Sequence, residues 1–491
     1  MKTLKKALAM LMCALLLMSV GALAGWAEPI GVEALTFSTT EDGVMITRCD
    51  KAVTGALEIP AEINGKPVVA IGGHAFQGAG FSSITIPESV KTIGTGAFGF
   101  CPSLTALEIP AGVEELGKGI ASACPALTSL TVAAGNPVYH SAGNCVINTA
   151  TKELVCGTNV SVIPADGSVT SIGDFAFFTD DKLTSVAIPE GVTSLGYEAF
   201  YGCAALEEIT LPESLTEFGE GAFAFCPALT SITIPDAVTM IAHHAFVECT
   251  GLKEIGMGKN VTIIGVGAFY GCTGLTSIVL PDSLEIIGDD AFAACTGLES
   301  ITLPGGLEII ADNAFYGCSA LESVVLPAGL KTIKMASFAS CTGLKDVYYP
   351  GTEEMWGDVV IGEGNEELRN ATLHFGPMLN PAIEIQKYQP TLEVDYKTTV
   401  IFKAIVTDAP EGAVIQWFVN DEKAEAAETC TVEKAKADYT VQVKLLAADG
   451  EVLAESETET VKVNRSFFQK LIAFFKGLFG LLPTITQAFK G

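Results

Sequence analysis

The sequence predicts a solenoid of stacked 23-residue coils, mainly short parallel β-strands and turns, followed by a β-sandwich and a C-terminal amphipathic helix. Three observations predict it. Phe200, Phe223, Phe246, Phe269, Phe292, Phe315 and Phe338 stand 23 residues apart, each after Ala or, at 338, Ser. A cysteine follows each phenylalanine three residues on, from Cys203 to Cys341. Each unit also carries six or seven apolar positions, which a lone short segment cannot bury, so neighbouring units must stack.

The unit reads A-F-x-x-C-x-x-L-x-x-I-x-I/L-P-x-x-V/L-x-x-I-x-x-x. One copy runs through Ala199, Cys203, Leu206, Ile209, Leu211, Pro212, Leu215 and Phe218. Within it Ile209-Thr210-Leu211 alternates inward and outward, and Pro212 ends the strand because it has no N–H for a ladder. Each coil thus offers one short parallel strand, spaced about 4.8 Å from the next. A dozen such coils make a rod on the order of 55–60 Å long. Earlier copies carry Phe76, Phe98 and Phe177. Gly119-Ile120 is read as a replacement for Ala-Phe, Asp180 takes one cysteine position and Gly258 one proline position.

This pattern resembles the BspA-like leucine-rich-repeat family of bacterial surface antigens, over about residues 30–376. The resemblance implies a leucine-rich-repeat solenoid outside the cell, engaging proteins of a host or neighbouring cell. It also implies that the break in period at about 133–165 is a hairpin insertion replacing a coil. There a two-residue turn near Ala150-Thr151 sets Cys145 opposite Cys156, the one pair that could form a disulfide. Residues 35–71 and 346–376, the latter with Trp356 and Leu373-His374-Phe375, are expected to cap the solenoid, which spans 28–376.

The flanking segments are read from composition. Lys2, Lys5 and Lys6, an apolar run from Ala7 to Val20 and small residues at Ala22, Ala24 and Ala27 make residues 1–27 a signal peptide. Past a Gly376-Pro377 linker, residues 381–464 hold alternating apolar segments, Thr399–Val406, Ala413–Val419, Tyr439–Leu446 and Glu451–Val463. With Trp417 and Tyr439 they are read as an immunoglobulin-like sandwich, although the paired core cysteines of antibody domains are absent. Residues 465–491 carry Arg465, Lys470, Lys476 and Lys490 and no acid. A helical projection puts Phe467, Phe468, Leu471, Phe474, Phe475, Leu478 and Phe479 on one side, a candidate membrane-contact face. Docking on the protein's own surface and binding a partner remain open for this tail.

Composition excludes several functions. Half the residues are apolar, which argues against disorder. A net charge of −29 opposes phosphate-backbone binding, so no nucleic-acid partner is expected. The repeated cysteines sit at one inward position of successive coils, about 4.8 Å apart, too far for a bridge at about 3.5–4.5 Å. They are read as small buried hydrophobes. No metal-ligand spacing, nucleophile elbow, P-loop or dinucleotide fingerprint occurs, so neither cofactor nor enzymatic activity is expected.

The candidate ligand face is the outward side of the strands: Glu208, Thr210, Ser231, Thr233, Ser277, Ser300, Thr302 and Ser323. It is hydroxyl-rich and mildly acidic, although Ser and Thr also simply suit exposed strands. Tyr201, Tyr270 and Tyr316, each after Ala-Phe, form a second row that partial packing explains equally well. Two readings follow: a secreted adhesion or protein-binding solenoid, or a structural or carbohydrate-binding envelope component held by its tail.

Overall fold

In the computed structural model the chain divides into two compact units, residues 1–376 and 377–491. The structure describes residues 32–376 throughout and, in the second unit, the strand segments between 382 and 464. The expected signal peptide and the basic tail lie outside the described residues.

The first unit is a β-solenoid. One row of parallel strands follows the expected inward and outward alternation, with Ile209 buried between exposed Glu208 and Thr210. Register is strict: Ser185 lies beside Glu208, Ser231 beside Glu254, and Ser300 beside Ser323 and then Asp346. The row comes in separate pieces, 55–132, 185–210, 231–256 and 300–375, rather than as one ladder. Residues 277–279 keep the alternation, with Ile278 buried and Val279 82% exposed, but form no strand.

A second parallel row, not expected from the sequence, is built from two-residue strands such as Met240–Ile241, Ile263–Ile264 and Ile286–Ile287. A third column forms where the Ala-Phe pair turns the chain. There the N–H of Phe200 donates to the carbonyl of Ala222 one coil on at 2.8 Å, and Phe223 to Ala245 at 2.9 Å. The turn needs left-handed backbone two residues before and two after each phenylalanine. Glycine meets that requirement at Gly267 and Gly271, around Phe269. Elsewhere side-chain-bearing residues adopt it, among them Glu198, Phe225 and Ala294, at a cost of about 1–2 kcal/mol each.

This geometry corrects one assignment. The N–H of Phe98 donates to the carbonyl of Ile120, so Ile120 takes the alanine place and Ala121 the phenylalanine place. Gly119 and Ala123 supply the two left-handed residues, and Cys124 falls three residues after Ala121. The coil is therefore Ile120-Ala121, not Gly119-Ile120, and the 23-residue step from Phe98 holds.

Phenylalanine rings form one unbroken stack from Phe177 to Phe338, with centroids 5.0–5.6 Å apart and planes within 14° of parallel. Phe76 and Phe98 form a second, shorter stack. Ala121 and the insertion separate the two. Beside the rings, each cysteine thiol donates to the phenylalanine carbonyl of the preceding coil. Cys203 reaches Phe177 at 3.2 Å, Cys249 reaches Phe223 at 3.0 Å, and Cys272 reaches Phe246 at 3.1 Å. The position thus uses the weak S–H donor as well as the bulk of cysteine.

The insertion is a three-stranded antiparallel meander, Tyr139–Ala142, Cys145–Asn148 and Glu153–Cys156, rather than a single hairpin. Ile147 faces Leu154, as a two-residue turn requires, but a bulge then slips the register and sets Cys156 opposite Val146. A slip of one residue turns a side chain to the other face of a strand. Cys145, Ile147 and Leu154 accordingly join the core that runs to Leu368, whereas Val146 and Cys156 join the core that runs back to Leu35. The two thiols are free, and the expected Cys145–Cys156 pairing is not formed. Burial raises Cys145 to about 11 and Cys156 to about 12. The 12 cysteines from Cys49 to Cys341 are buried and free. They are expected to resist maleimide in the native protein and to react fully once it is unfolded without reductant, as intact mass will read.

Both N-terminal strand rows stop at this insertion, whereas the second row restarts from it, Glu153–Cys156 pairing parallel with Ser171–Ile172. Side chains bridge the gap instead: Asn144 accepts from the N–H of Leu130, Ser141 from Val132, and the Tyr139 hydroxyl from Leu116. In the turn column the N–H of Ala123 reaches the carbonyl of Phe178 directly.

At the far end Tyr349 packs against Trp356, and two short helices, Glu353–Gly357 and Glu366–Asn370, close the stack. The buried Asn365 side chain accepts from the N–H of Phe338, taking the role that the next coil's carbonyl plays elsewhere.

In the second unit Ala382–Gln386, Val400–Thr407 and Thr429–Val432 form one antiparallel sheet. A second sheet contains Val414–Val419, Tyr439–Leu446 and Glu459–Asn464, with Glu393–Asp395 parallel to the last. The segment expected as one strand over 451–463 is two, Val452–Glu455 and Glu459–Asn464.

Candidate interaction surface

Two surfaces of the solenoid compete as interaction faces. The strand face presents Glu208, Thr210, Ser231, Thr233, Ser277, Ser300 and Thr302 to solvent, with Ser323 half-buried. These side chains include no ring and no arginine, and the row carries a ring pair, Tyr348 stacked on His374 at 4.6 Å, at its C-terminal end, so the face from 208 to 302 lacks the aromatic and arginine anchors that dominate tight interfaces.

The turn column differs. Its outer side carries Phe175 and Phe178 on one coil, Tyr197 and Tyr201 on the next, and Phe225 on the third. Their rings touch in a chain. Phe175 meets Phe178 at 5.4 Å and Tyr197 at 5.3 Å, both edge to face. Phe178 stacks on Tyr201 at 5.1 Å, and Tyr201 meets Phe225 at 5.1 Å, tilted by 51°. Tyr197 and Phe225 are 40% and 43% exposed, too open for core residues. The left-handed backbone at Phe175 and Phe225 is what aims these two rings outward instead of into the stack. Tyr270 and Tyr316 project farther along, separated by Ala293, and make no ring contact among the described residues. Of the expected tyrosine row, therefore, only Tyr201 belongs to a cluster.

Carboxylates line the same ridge. Asp174 accepts from the N–H of Tyr197 at 2.8 Å and pairs with Lys118. Glu198 hydrogen-bonds the Tyr197 side chain and holds its hydroxyl above the usual phenol range, with Glu220 adding to the shift. Burial first and then the Glu198 charge raise Tyr201 as well. Glu220 lies 3.3 Å from the Nδ1 of His244. The ridge is therefore aromatic and electronegative together.

Sequence reading missed Phe175, Phe178, Tyr197 and Phe225 because they occupy four different places in the 23-residue unit. A search for aromatics within three residues of the Ala-Phe pair, regardless of exact position, would have found them.

A small cavity sits where the insertion meets the second core, lined by Cys124, Thr158, Phe177, Asp180 and neighbours. It has room for about one water molecule. Asp180 occupies the cysteine position of its coil, and burial raises its carboxyl to about 7. Among the described residues no three His, Cys, Asp or Glu are grouped to hold a metal, and no helix is long and apolar enough to cross a membrane.

Repeated coils with an inward Leu-Ile pattern, a parallel strand row and a buried ring stack define a leucine-rich-repeat β-solenoid. The chain belongs to the BspA type leucine rich repeat family, whose pattern matches six copies over residues 59–167, 150–276 and 262–372. A leucine rich cell surface protein from Faecalibacterium prausnitzii is 25% identical, over 67% of this chain and 96% of its own, with a TM-score of 0.41. A leucine-rich repeat protein from Eubacterium ventriosum is 23% identical over 57% of this chain and 92% of its own, with a TM-score of 0.45. One from Bacteroides ovatus is 22% identical over 70% and 99%, with a TM-score of 0.43. No curated protein matches the sequence.

Proposed function

We propose that this protein is a secreted or surface-held interaction protein whose solenoid binds a protein ligand outside the cell. The observation that carries the reading is the ridge of five touching aromatic rings, Phe175, Phe178, Tyr197, Tyr201 and Phe225, on the outer side of the turn column. Water-exposed rings that pack on one another bury little, and tyrosine and phenylalanine anchors carry most of the energy at protein interfaces. A stack of coils holds them still, so little side-chain freedom is lost when a partner arrives.

The remaining assignments are part of this proposal. Residues 1–27 direct export. The unit over 381–464 is an immunoglobulin-like stalk, a reading supported by its two sheets and by the parallel pairing of Glu393 with Lys462. The 465–491 tail, through Phe467, Phe468, Leu471, Phe474, Phe475, Leu478 and Phe479, rests on a membrane surface. Catalysis is not part of the reading.

The test is an array of extracellular proteins and glycans probed with the full secreted chain. Protein hits are expected to weaken at least tenfold for Tyr197→Ala with Phe225→Ala, and to survive Thr210→Lys with Thr233→Lys and Thr302→Lys. The opposite pattern moves the site to the strand face. Hits confined to glycans overturn the reading in favour of a carbohydrate-binding envelope component.

A further inference from the structure

Resting on the reading of the ridge as the binding site, we infer that its ligand is a basic protein segment, whose arginine or lysine side chains lie against Tyr197 and Phe225 and pair with Glu198 and Glu220. Three features lead there.

The first is ring geometry. Phe178 and Tyr201 are stacked within 11° of parallel, so each covers a face of the other. Phe225 is tilted 51° from Tyr201 and Tyr197 stands 67° from Phe175, which leaves aromatic face uncovered at both ends of the cluster. These two rings are also the ones exposed to the degree of surface residues, at 43% and 40%. An uncovered ring face is electron-rich and attracts a cation placed over it.

The second is the placement of charge. Glu198 directly follows Tyr197, and its N–H donates to the carbonyl of Glu220 one coil on at 2.9 Å, so two carboxylate-bearing residues sit together beside Tyr197, and both raise its hydroxyl. No Lys or Arg ion pair neutralises either among the described residues; the neighbour of Glu220 is His244, 3.3 Å away. A guanidinium can stack on a ring and hydrogen-bond a carboxylate at once, which makes arginine the best-fitting side chain.

The third is net charge. At −29 the chain repels a second copy of itself and attracts a polycation, so charge complementarity selects a basic partner over self-association. A neutral glycan could stack on the rings and donate hydroxyls to the carboxylates, but it gains nothing from the net charge, so charge and salt dependence separate it from a basic segment.

The experiment measures binding of the full secreted chain to a dodecapeptide of alternating arginine and serine, against the same peptide with citrulline, which keeps the shape and loses the charge. The arginine peptide is expected to bind at least tenfold more tightly, and raising salt from 50 to about 300 mM is expected to weaken it further. Tyr197→Leu with Phe225→Leu, and separately Glu198→Gln with Glu220→Gln, are each expected to weaken it at least fivefold. Glu208→Gln with Glu254→Gln removes the same charge from the strand face and is expected to change it less than twofold. Unaltered thermal melting of each variant confirms that the fold is kept. Equal loss from the two charge-neutralising variants, or no loss from the leucine variant, overturns the inference in favour of a diffuse acidic attraction. If array ligands depend on Tyr197 and Phe225 while the peptide does not, the ridge remains the binding site and only the basic ligand is wrong.

Discussion

Replacing Phe246 with alanine is expected to lower the unfolding free energy of the solenoid by about 3–5 kcal/mol. The ring is fully buried and lies between Phe223 at 5.6 Å and Phe269 at 5.4 Å, with Phe218 at 6.3 Å on one side. Removing it deletes stacking contacts on two coils and leaves a cavity that backbone held by inter-coil hydrogen bonds cannot close. The Cys272 thiol, which donates to the Phe246 carbonyl, would lose its aligned acceptor if the turn relaxed. Denaturant unfolding followed by tryptophan-independent circular dichroism reads the loss. A change under 1 kcal/mol would mean that the stacked rings do not hold the coils together.

Replacing Asp180 with cysteine should act in the other direction, increasingly as pH rises above about 4 and fully above about 7. The folded protein holds this carboxyl at about 7, against 3.8 for the ordinary side chain, chiefly through burial. Between those values the native state binds a proton that the unfolded chain has released. Stability from this group is therefore complete below about pH 4 and drains away as pH rises through 7. The full shift corresponds to about 4 kcal/mol. Partial solvent access through the neighbouring cavity reduces the expected gain of Asp180→Cys at pH 8 to about 2 kcal/mol. At pH 4 the two proteins should unfold nearly together. A gain that is the same at both pH values would show that packing, not charge, distinguishes the two side chains.

The regular part of this architecture was legible because it repeats. Phe200 to Phe338, the cysteines beside them and the inward isoleucines all follow from one spacing, and a spacing that buries one coil buries the next. What a period cannot carry is what differs between coils. The strand row over 194–195, 240–241 and 263–264 is two residues deep, too short to show alternation. Ala121 was misassigned because Ile120, the larger apolar residue, looked like the natural substitute for phenylalanine. Only the hydrogen bond from Phe98 fixes the frame. The meander was visible as a break, and Ile147 faces Leu154 as the expected turn near Ala150-Thr151 requires. A single bulge then undid the pairing of Cys145 with Cys156, and bulges have no signature in one sequence. The ridge escaped for a related reason. Tyr197, Tyr201 and Phe225 join the cluster from unequal positions of their coils, and left-handed backbone, which aims Phe175 and Phe225 outward, is not written in the period.

The meander at 139–156 has a mechanical implication. It leaves the N-terminal stack and the longer C-terminal stack with separate apolar interiors sharing one thin wall, and it trades main-chain ladders for the side chains of Tyr139, Ser141 and Asn144 at that wall. A load pulling along the stack meets fewer main-chain hydrogen bonds on the N-terminal side of the meander than between regular coils. The protein is built with a seam, so the part bearing Tyr197 and Phe225 can keep its shape while the part on the other side gives way.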